Sequence, residues 1–185
     1  MEFLSTQPRQ STMKLKKGYV QIYTGNGKGK TTAAIGLAVR AAGSGLQVYF
    51  GQFAKGVKSS EHVSLAKFAN IRVKQFGRSC FIGKTPDEKD IEFAKKGFDE
   101  IRAAVSSGDY DVVILDEIMT ATKYGLVSVE DVLGIIKSKP GAVELVLTGR
   151  NADPRLIKAA DLATEMKEVK HYYKKGVMAR VGIEK

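Results

Sequence analysis

The sequence predicts a doubly wound α/β domain with a mainly parallel sheet and helices on both of its faces. Three observations support this prediction. Short apolar segments alternate with helical patterns along most of the chain, which favours parallel strands joined by right-handed crossovers. A glycine-rich turn separates the first apolar segment from the first helical pattern. The 185 residues, 43% of them hydrophobic, are enough to bury one sizeable core.

The strand candidates are short runs of apolar and β-branched residues. They span residues 19–23, 46–50, 71–76, 111–115, 143–147 and 161–166. In a doubly wound sheet the ligand lies at the carboxyl ends of the strands. Polar residues that directly follow these runs are therefore the first candidates for a functional site.

Helix signals occupy the stretches between the strands. The pattern from Thr85 predicts a helix with Thr85 as N-cap, Pro86 in the first helical position and Glu88 closing a capping box. Similar starts occur at Ser128 and at Asp153. After Thr85 the apolar residues recur at spacings of three and four and form one face, which we expect to pack in the core: Ile91, Ala94, Phe98, Ile101 and Val105.

The composition limits the class of protein. No window approaches the roughly 20 apolar residues of a membrane span, and residues 1–17 lack the apolar centre of a signal peptide. We therefore expect a cytoplasmic protein without membrane contact. The single cysteine, Cys80, excludes an intramolecular disulfide and a multi-cysteine zinc site.

The formal charge of +10 lies mostly at the two ends of the chain. Residues 1–17 hold four basic residues against one acidic residue, and residues 166–185 hold six against two. Such ends suit a cover over an anionic ligand as well as a nucleic-acid footprint, and no aromatic-basic platform for base stacking accompanies them. We expect a flexible basic segment at 1–17, a domain at 18–185, and no nucleic-acid partner.

The glycine-rich turn has the pattern of a phosphate-binding P-loop. It reads Thr24-Gly25-Asn26-Gly27-Lys28-Gly29-Lys30-Thr31-Thr32. Its backbone N–H groups and the following helix N-terminus are suited to an anion, so residues 25–32 are predicted to bind nucleotide phosphates. The first Gly of the usual motif is replaced by Thr24. With this loop, the predicted fold becomes a P-loop NTPase-like, RecA-like domain.

Individual side chains of the loop have different predicted roles. Lys30 occupies the motif position, and we assign it both phosphate binding and catalysis. Lys28 either neutralises charge on a leaving phosphate or points into water. Thr31 is expected to reach a metal ion, whereas Thr32 either caps the helix or touches phosphate.

The second chemical motif is an apolar strand that ends in Asp116 and Glu117. Two carboxylates at this position are typical of a Walker B element, which would hold Mg²⁺ or Mn²⁺ together with Thr31 and nucleotide phosphates. A solvated acidic pair is the alternative. About 85 residues upstream lies the phosphate loop, and this spacing of several βα units favours the metal site.

Two further segments follow strands or lie near the C-terminus. Arg150 comes just after the predicted strand 143–147 and is either an anion or nucleotide contact or a surface arginine. His171 begins an aromatic-basic cluster, residues 171–175, which either folds over a large ligand or remains solvated.

Several separated blocks, in the same order, resemble the ATP:corrinoid adenosyltransferases of bacterial cobalamin synthesis and salvage. The blocks are residues 24–34, with Thr24 in place of the first Gly, and residues 115–118, 147–150, 160–166, 169–171 and 182–184. The resemblance covers most of the chain. It is more specific than a phosphate loop alone.

The resemblance implies an unusual reaction, in which reduced Co(I) of a corrinoid attacks the 5′ carbon of ATP and triphosphate departs. ATP and the corrinoid are then co-substrates, the cobalt is the nucleophile, and the protein supplies alignment and electrostatic stabilisation. The resemblance also implies a homodimer and a flavoprotein as the source of reducing electrons.

Three alternatives remain open at the level of sequence. The same loop and acidic pair could serve a conventional phosphotransferase or ATPase, such as a nucleoside kinase, which would form ADP. A RecA-like nucleic-acid-binding ATPase would use the basic ends and show salt-sensitive binding. A protein of the resembled family could also mainly deliver adenosylated corrinoid to an acceptor enzyme.

Overall fold

The structure, a computed structural model, describes residues 14–77 and 85–185. Within them, six strands form one sheet in which every pairing is parallel. The strands are β1 Val20–Thr24, β2 Val48–Phe53, β3 Ile71–Phe76, β4 Val112–Asp116, β5 Glu144–Thr148 and β6 Leu162–Glu165. The helices are α1 Lys30–Gly43, α2 Ser60–Leu65, α3 Glu88–Ser106, α4 Ile118–Lys123, α5 Val129–Ser138 and α6 Pro154–Ala159, followed by a 3₁₀ turn at Tyr172–Lys175.

The sheet order is β3-β2-β4-β5-β1-β6, which confirms the predicted doubly wound α/β class. All six strand candidates are strands. The largest difference is in β2, which was expected to end at 50 and continues to Phe53. It continues because it is a central strand, and its residues 51 and 52 are paired with β3 on one side and with β4 on the other.

Helices cover both faces of the sheet. On one face α1 presents Ala34 and Ala38 to the buried side chains of β2 and β4, and Leu65 of α2 packs in the same cluster. On the other face Phe98 and Ile101 of α3 pack against the opposite side of these strands, together with residues of α4, α5 and α6. Because β2 and β4 are buried on both faces, their sequences are almost continuously apolar.

The start of α3 corrects one prediction. The helix begins at Glu88 with Asp87 as its N-cap, and Thr85 and Pro86 precede it as irregular backbone. The Asp87 carboxylate accepts a hydrogen bond from the Asp90 backbone at 2.8 Å, and the Asp90 carboxylate accepts from the Asp87 backbone at 3.1 Å. A charged carboxylate cap with this reciprocal bond replaces the predicted threonine cap.

The other two helix starts are confirmed. Ser128 caps α5 by accepting from the backbone of Asp131, and Asp153 caps α6 with Pro154 in the first turn. Both caps use the short polar side chains that satisfy free backbone N–H groups at a helix N-terminus.

Residues 1–13 of the predicted N-terminal segment lie outside the described residues, as does Cys80. Of the remainder of that segment, Leu15 packs against the α1 side of the core. Neither α3, with its 19 residues, nor any other described helix combines the length and apolar character needed to cross a membrane.

Candidate nucleotide and metal site

The phosphate loop joins the end of β1 to the first turn of α1. Gly25 and Gly29 adopt left-handed backbone conformations, with φ of 97° and 118°. A Cβ atom on Gly25 or Gly27 would lie 2.5 or 2.7 Å from the backbone oxygen of Met166. That oxygen accepts a hydrogen bond from the Gly27 N–H at 2.7 Å. The glycines are therefore required both by the turn and by the close approach of the chain after β6.

Thr24 has a structural explanation for its place in the loop. Its side chain is buried, and its hydroxyl accepts a hydrogen bond from the backbone N–H of Ala152 at 3.3 Å. A glycine there could not make this bond, which ties the phosphate loop to the loop that follows β5.

Lys30 is the first residue of α1, and its ammonium lies inside the loop. Its Nζ donates to the backbone oxygens of Gly25 and Gly27, both at 2.8 Å. Burial lowers the pKa of Lys30, and the nearby positive charge of Arg150 lowers it further. The carboxylates of Glu117 and Asp116 act in the opposite direction, so the ammonium lies within the field of both acidic residues.

The Lys28 ammonium is hydrogen-bonded to the C-terminal segment, residues 171–185. Its Nζ donates to the Glu184 carboxylate at 2.8 Å and to the Tyr172 hydroxyl at 3.1 Å. Arg180 also bonds Glu184, and the Tyr172 hydroxyl donates to it. From the sequence we expected Lys28 either to bind phosphate or to point into water. The contact with Glu184 could not be predicted, because the two residues are 156 positions apart.

Asp116 is completely buried at the end of β4 and is held from several sides. Its Oδ1 accepts from the Thr148 hydroxyl at 2.6 Å, and its Oδ2 accepts from Nε2 of Gln52 at 2.8 Å. The Thr31 hydroxyl has a further, weaker influence that favours the ionised form. Burial raises the pKa of Asp116, and these three donors partly offset that rise by stabilising the ionised form.

Glu117 lies beside Asp116 but is held differently. It adopts a left-handed backbone conformation with φ of 57°, which is uncommon for a residue with a side chain. Its N–H donates to the Thr148 hydroxyl at 2.9 Å, and its carboxylate accepts from the Thr120 hydroxyl. Thr148 thus bonds the Asp116 carboxylate and the Glu117 backbone, while Thr120 bonds the Glu117 carboxylate.

Gln52 is a site residue that sequence analysis did not identify. It is fully buried in β2, where it pairs in register with Asp116 of β4 and with Gln75 of β3. The available signal was a carboxamide within an otherwise apolar run, since a buried polar group needs partners. The identity of those partners depends on strand register, which that run does not reveal.

Arg150 and His171 lie in the segments that surround the loop. Arg150 is exposed just after β5, and its charge influences both Lys30 and Glu168. His171 caps the 3₁₀ turn, because its Nδ1 accepts from the backbone of Tyr173 at 3.1 Å. In the structure His171 therefore has a local structural contact, while the charge of Arg150 lowers the pKa of Lys30 and of Glu168.

The donors around the loop suit a hard divalent cation. Asp116, Glu117 and the Thr31 hydroxyl provide oxygen atoms, and Mg²⁺ commonly combines one or two carboxylates with nucleotide phosphates. In the described part of the chain no group of three or more His, Cys, Asp or Glu side chains forms a cage for a metal.

Comparison with known proteins identifies a family. Residues 16–184 match the family described as ATP:corrinoid adenosyltransferase BtuR/CobO/CobP. The corrinoid adenosyltransferase of Pseudomonas aeruginosa is 35% identical over 91% of this chain and 84% of that protein. The one from a Sinorhizobium species is 34% identical over 91% and 81%. Among solved structures, the RadB recombinase shows a TM-score of 0.48 and 14% identity over 85% of this chain and 78% of RadB.

Proposed function

The chain belongs to the BtuR/CobO/CobP family of ATP:corrinoid adenosyltransferases, and we propose that it transfers the 5′-deoxyadenosyl group of ATP to the Co(I) centre of a corrinoid. The observation that carries this proposal is the family match over residues 16–184. The phosphate loop of this chain supplies the nucleotide side of the reaction.

The proposed step forms one bond and breaks another. The electron pair of Co(I) forms a bond to the 5′ carbon of ATP, and cobalt becomes formally Co(III). The bond between that carbon and its oxygen breaks, and its electron pair leaves on triphosphate. No side chain of the protein has to act as nucleophile, since the corrinoid substrate provides it.

Charge stabilisation is the main task of the loop in this step. Negative charge develops on the oxygen that leaves the 5′ carbon, so donors directed at that region accelerate the reaction. The buried Lys30 ammonium and the backbone N–H groups of residues 25–32 are suited to this role. Arg150 is proposed as an additional contact to nucleotide or phosphate.

Lys28 would join the triphosphate by exchanging partners. Its ammonium is exposed enough to move, and its present carboxylate partner, Glu184, belongs to the C-terminal segment. A triphosphate offers the same kind of charge-assisted hydrogen bond that Glu184 now provides.

Mg²⁺, or Mn²⁺, is proposed as the metal ion, held by Asp116, Glu117 and Thr31 together with phosphate oxygens. When bound, it would neutralise part of the triphosphate charge. The protein holds these carboxylates in place, because the Thr148 hydroxyl donates to the Asp116 carboxylate and the Thr120 hydroxyl donates to the Glu117 carboxylate.

We further propose a cytoplasmic homodimer whose corrinoid substrate is reduced to Co(I) by a flavoprotein. The family supports the use of a reduced corrinoid, and reduction requires a donor. Support for the dimer comes from β6, an edge strand whose four residues are all exposed, with Leu162 at 49%. Uncovered edges of this kind commonly pair or are covered in an assembly. Light scattering of the purified protein tests this point.

The test of the proposed activity is anaerobic incubation with ATP, Mg²⁺ and chemically reduced cobalamin. We expect the corrinoid spectrum to change to that of adenosylcobalamin, with triphosphate as the nucleotide product. Formation of ADP and phosphate with an unchanged corrinoid would overturn the proposal and indicate a phosphotransferase or ATPase.

A further inference from the structure

A row of polar side chains crosses the carboxyl edge of the sheet. Gln75 of β3 pairs in register with Gln52 of β2, and Gln52 pairs with Asp116 of β4. Thr148 of the next strand, β5, continues the row by donating to Asp116. Four neighbouring strands thus each contribute one side chain to a continuous hydrogen-bonded row.

The hydrogen bonds along this row have a fixed donor-to-acceptor direction. An ionised carboxylate only accepts hydrogen bonds, so Gln52 must turn its Nε2 toward Oδ2 of Asp116, at 2.8 Å. Its Oε1 is then left facing Gln75, whose Nε2 donates to it at 3.4 Å. The carboxamide of Gln52 is satisfied at both ends only in this orientation.

Gln75 is itself oriented by backbone acceptors. Its Nε2 also donates to the carbonyl oxygens of Lys55 at 3.3 Å and Val57 at 3.2 Å. These belong to the loop after β2, where Ala54 adopts a left-handed conformation with φ of 55°. The two N–H groups of this amide are shared among three acceptors, so the donor end of Gln75 faces Gln52.

We propose that Gln52, oriented by Gln75, is a positioning residue that holds the Asp116 carboxylate in the rotation required to bind the metal–nucleotide complex. The proposal rests on the proposed metal role of Asp116. With Oδ2 bonded to Gln52 and Oδ1 to Thr148, the carboxylate plane is set from both sides. Outer partners of this kind typically change metal affinity 10- to 100-fold when removed.

If Gln52 had only a structural role, its loss would affect ATP binding differently. A buried amide that only completes the packing would affect folding, and its loss would weaken ATP binding to the same extent with or without metal. A positioning role affects only the part of ATP affinity that depends on the metal. The two roles are therefore separated by measuring ATP binding under both conditions.

The experiment is isothermal titration of ATP into the purified full chain, once with Mg²⁺ and once with EDTA. Gln52→Met keeps the length of the side chain and removes both hydrogen bonds. We expect it to weaken ATP binding about tenfold in Mg²⁺ and to change it less than about twofold in EDTA. An equal effect under both conditions, or none, would overturn the proposal.

Gln75→Glu tests the direction of the hydrogen bonds that run from Gln75 through Gln52 to Asp116. A glutamate at position 75 accepts from Nε2 of Gln52, so Oε1 of Gln52 turns toward Asp116 and repels its carboxylate. We expect a loss of Mg²⁺-dependent affinity at least as large as that of Gln52→Met. Since position 75 is only partly buried, this variant decides the question if Gln52→Met does not fold. Wild-type affinity in Mg²⁺ would contradict the proposal.

Gln21→Met is the matched control. Gln21 donates to the Glu144 carboxylate, so it forms the same amide–carboxylate pair in β1, away from the metal site. We expect wild-type affinity for ATP under both conditions. None of these titrations uses a corrinoid, so a failure of the proposed adenosyl transfer would appear separately, in the transfer assay.

Discussion

At the scale of single residues, the Lys30 ammonium is a buried positive charge inside the phosphate loop. Lys30→Ala removes it, and we expect kcat for adenosyl transfer to fall about 10²- to 10³-fold, as for other donors directed at developing charge. The melting temperature should change little, because the bonds that Nζ makes within residues 14–77 and 85–185 go to the carbonyls of Gly25 and Gly27. The exposed Lys158→Ala in α6 is the control. Wild-type turnover of Lys30→Ala would contradict the assignment.

The acidic pair leads to a second prediction. Both oxygens of the buried Asp116 carboxylate accept hydrogen bonds, one from Gln52 and one from Thr148. Asp116→Asn replaces one of these oxygens with an NH2 donor and removes the negative charge. We expect this variant, and Glu117→Gln to a smaller extent, to require more Mg²⁺ for half-maximal activity. Activity titrated against Mg²⁺ measures the effect. If neither variant changes the metal dependence, Asp116 and Glu117 do not form the metal site.

Residues of the site differ in how far sequence could predict them. Gly25, Lys30 and Asp116 belong to local patterns, and the structure brings them together at one edge of the sheet. Gln52 and Glu184 could not be predicted, because their roles depend on strand register and on a contact across 156 residues. Local patterns contain neither kind of information.

At the scale of elements, the packing of α3 on the sheet depends on a missing side chain. A Cβ on Gly97 would lie 2.3 Å from Cγ of Phe76, a buried ring that also packs against Phe53. Gly97→Ala should therefore destabilise the protein by about 1–3 kcal/mol, as is usual for overpacking. Chemical denaturation measures this free energy of unfolding.

Gly134 in α5 provides the opposite control. A Cβ there meets no heavy atom within 4 Å, so Gly134→Ala should stabilise the helix by about 1 kcal/mol through its better helix propensity. If Gly97→Ala and Gly134→Ala changed the free energy of unfolding equally, Gly97 would not pack against Phe76 as closely as the structure shows. The existence of α3 followed from sequence periodicity, and that of α5 from the helix start at Ser128. The start of α3 did not, since Asp87 and Thr85 are both suitable caps.

At the scale of the whole molecule, the C-terminal segment, residues 171–185, crosses the phosphate loop and reaches α2. Glu184 binds Lys28 and Arg180, and the Ser60 hydroxyl donates to the backbone oxygen of Lys185. Glu184→Gln removes the charge at the centre of this contact. We expect faster amide hydrogen exchange in residues 171–185. Glu130→Gln, which breaks the exposed pair with Arg155, should leave that segment unchanged.

The pH dependence of this contact has a defined sign. The bonds from Arg180, Lys28 and Tyr172 hold the pKa of Glu184 well below its usual range. A carboxyl group with a lowered pKa stabilises the folded form above its unfolded pKa, about 4.3, and loses that effect as pH falls toward the folded value. Protection of residues 171–185 should persist at neutral pH and decline only in acid. Loss of protection near pH 7 would contradict the contact.

The most direct test of the whole account asks which bond of ATP breaks. ATP labelled with ¹⁸O at the oxygen that joins the 5′ carbon to the α-phosphorus is incubated anaerobically with Mg²⁺, Co(I) cobalamin and the protein. Attack at the 5′ carbon releases triphosphate that carries the label and forms adenosylcobalamin. Label retained on adenosine, or formation of ADP with an unchanged corrinoid, would contradict adenosyl transfer at this site.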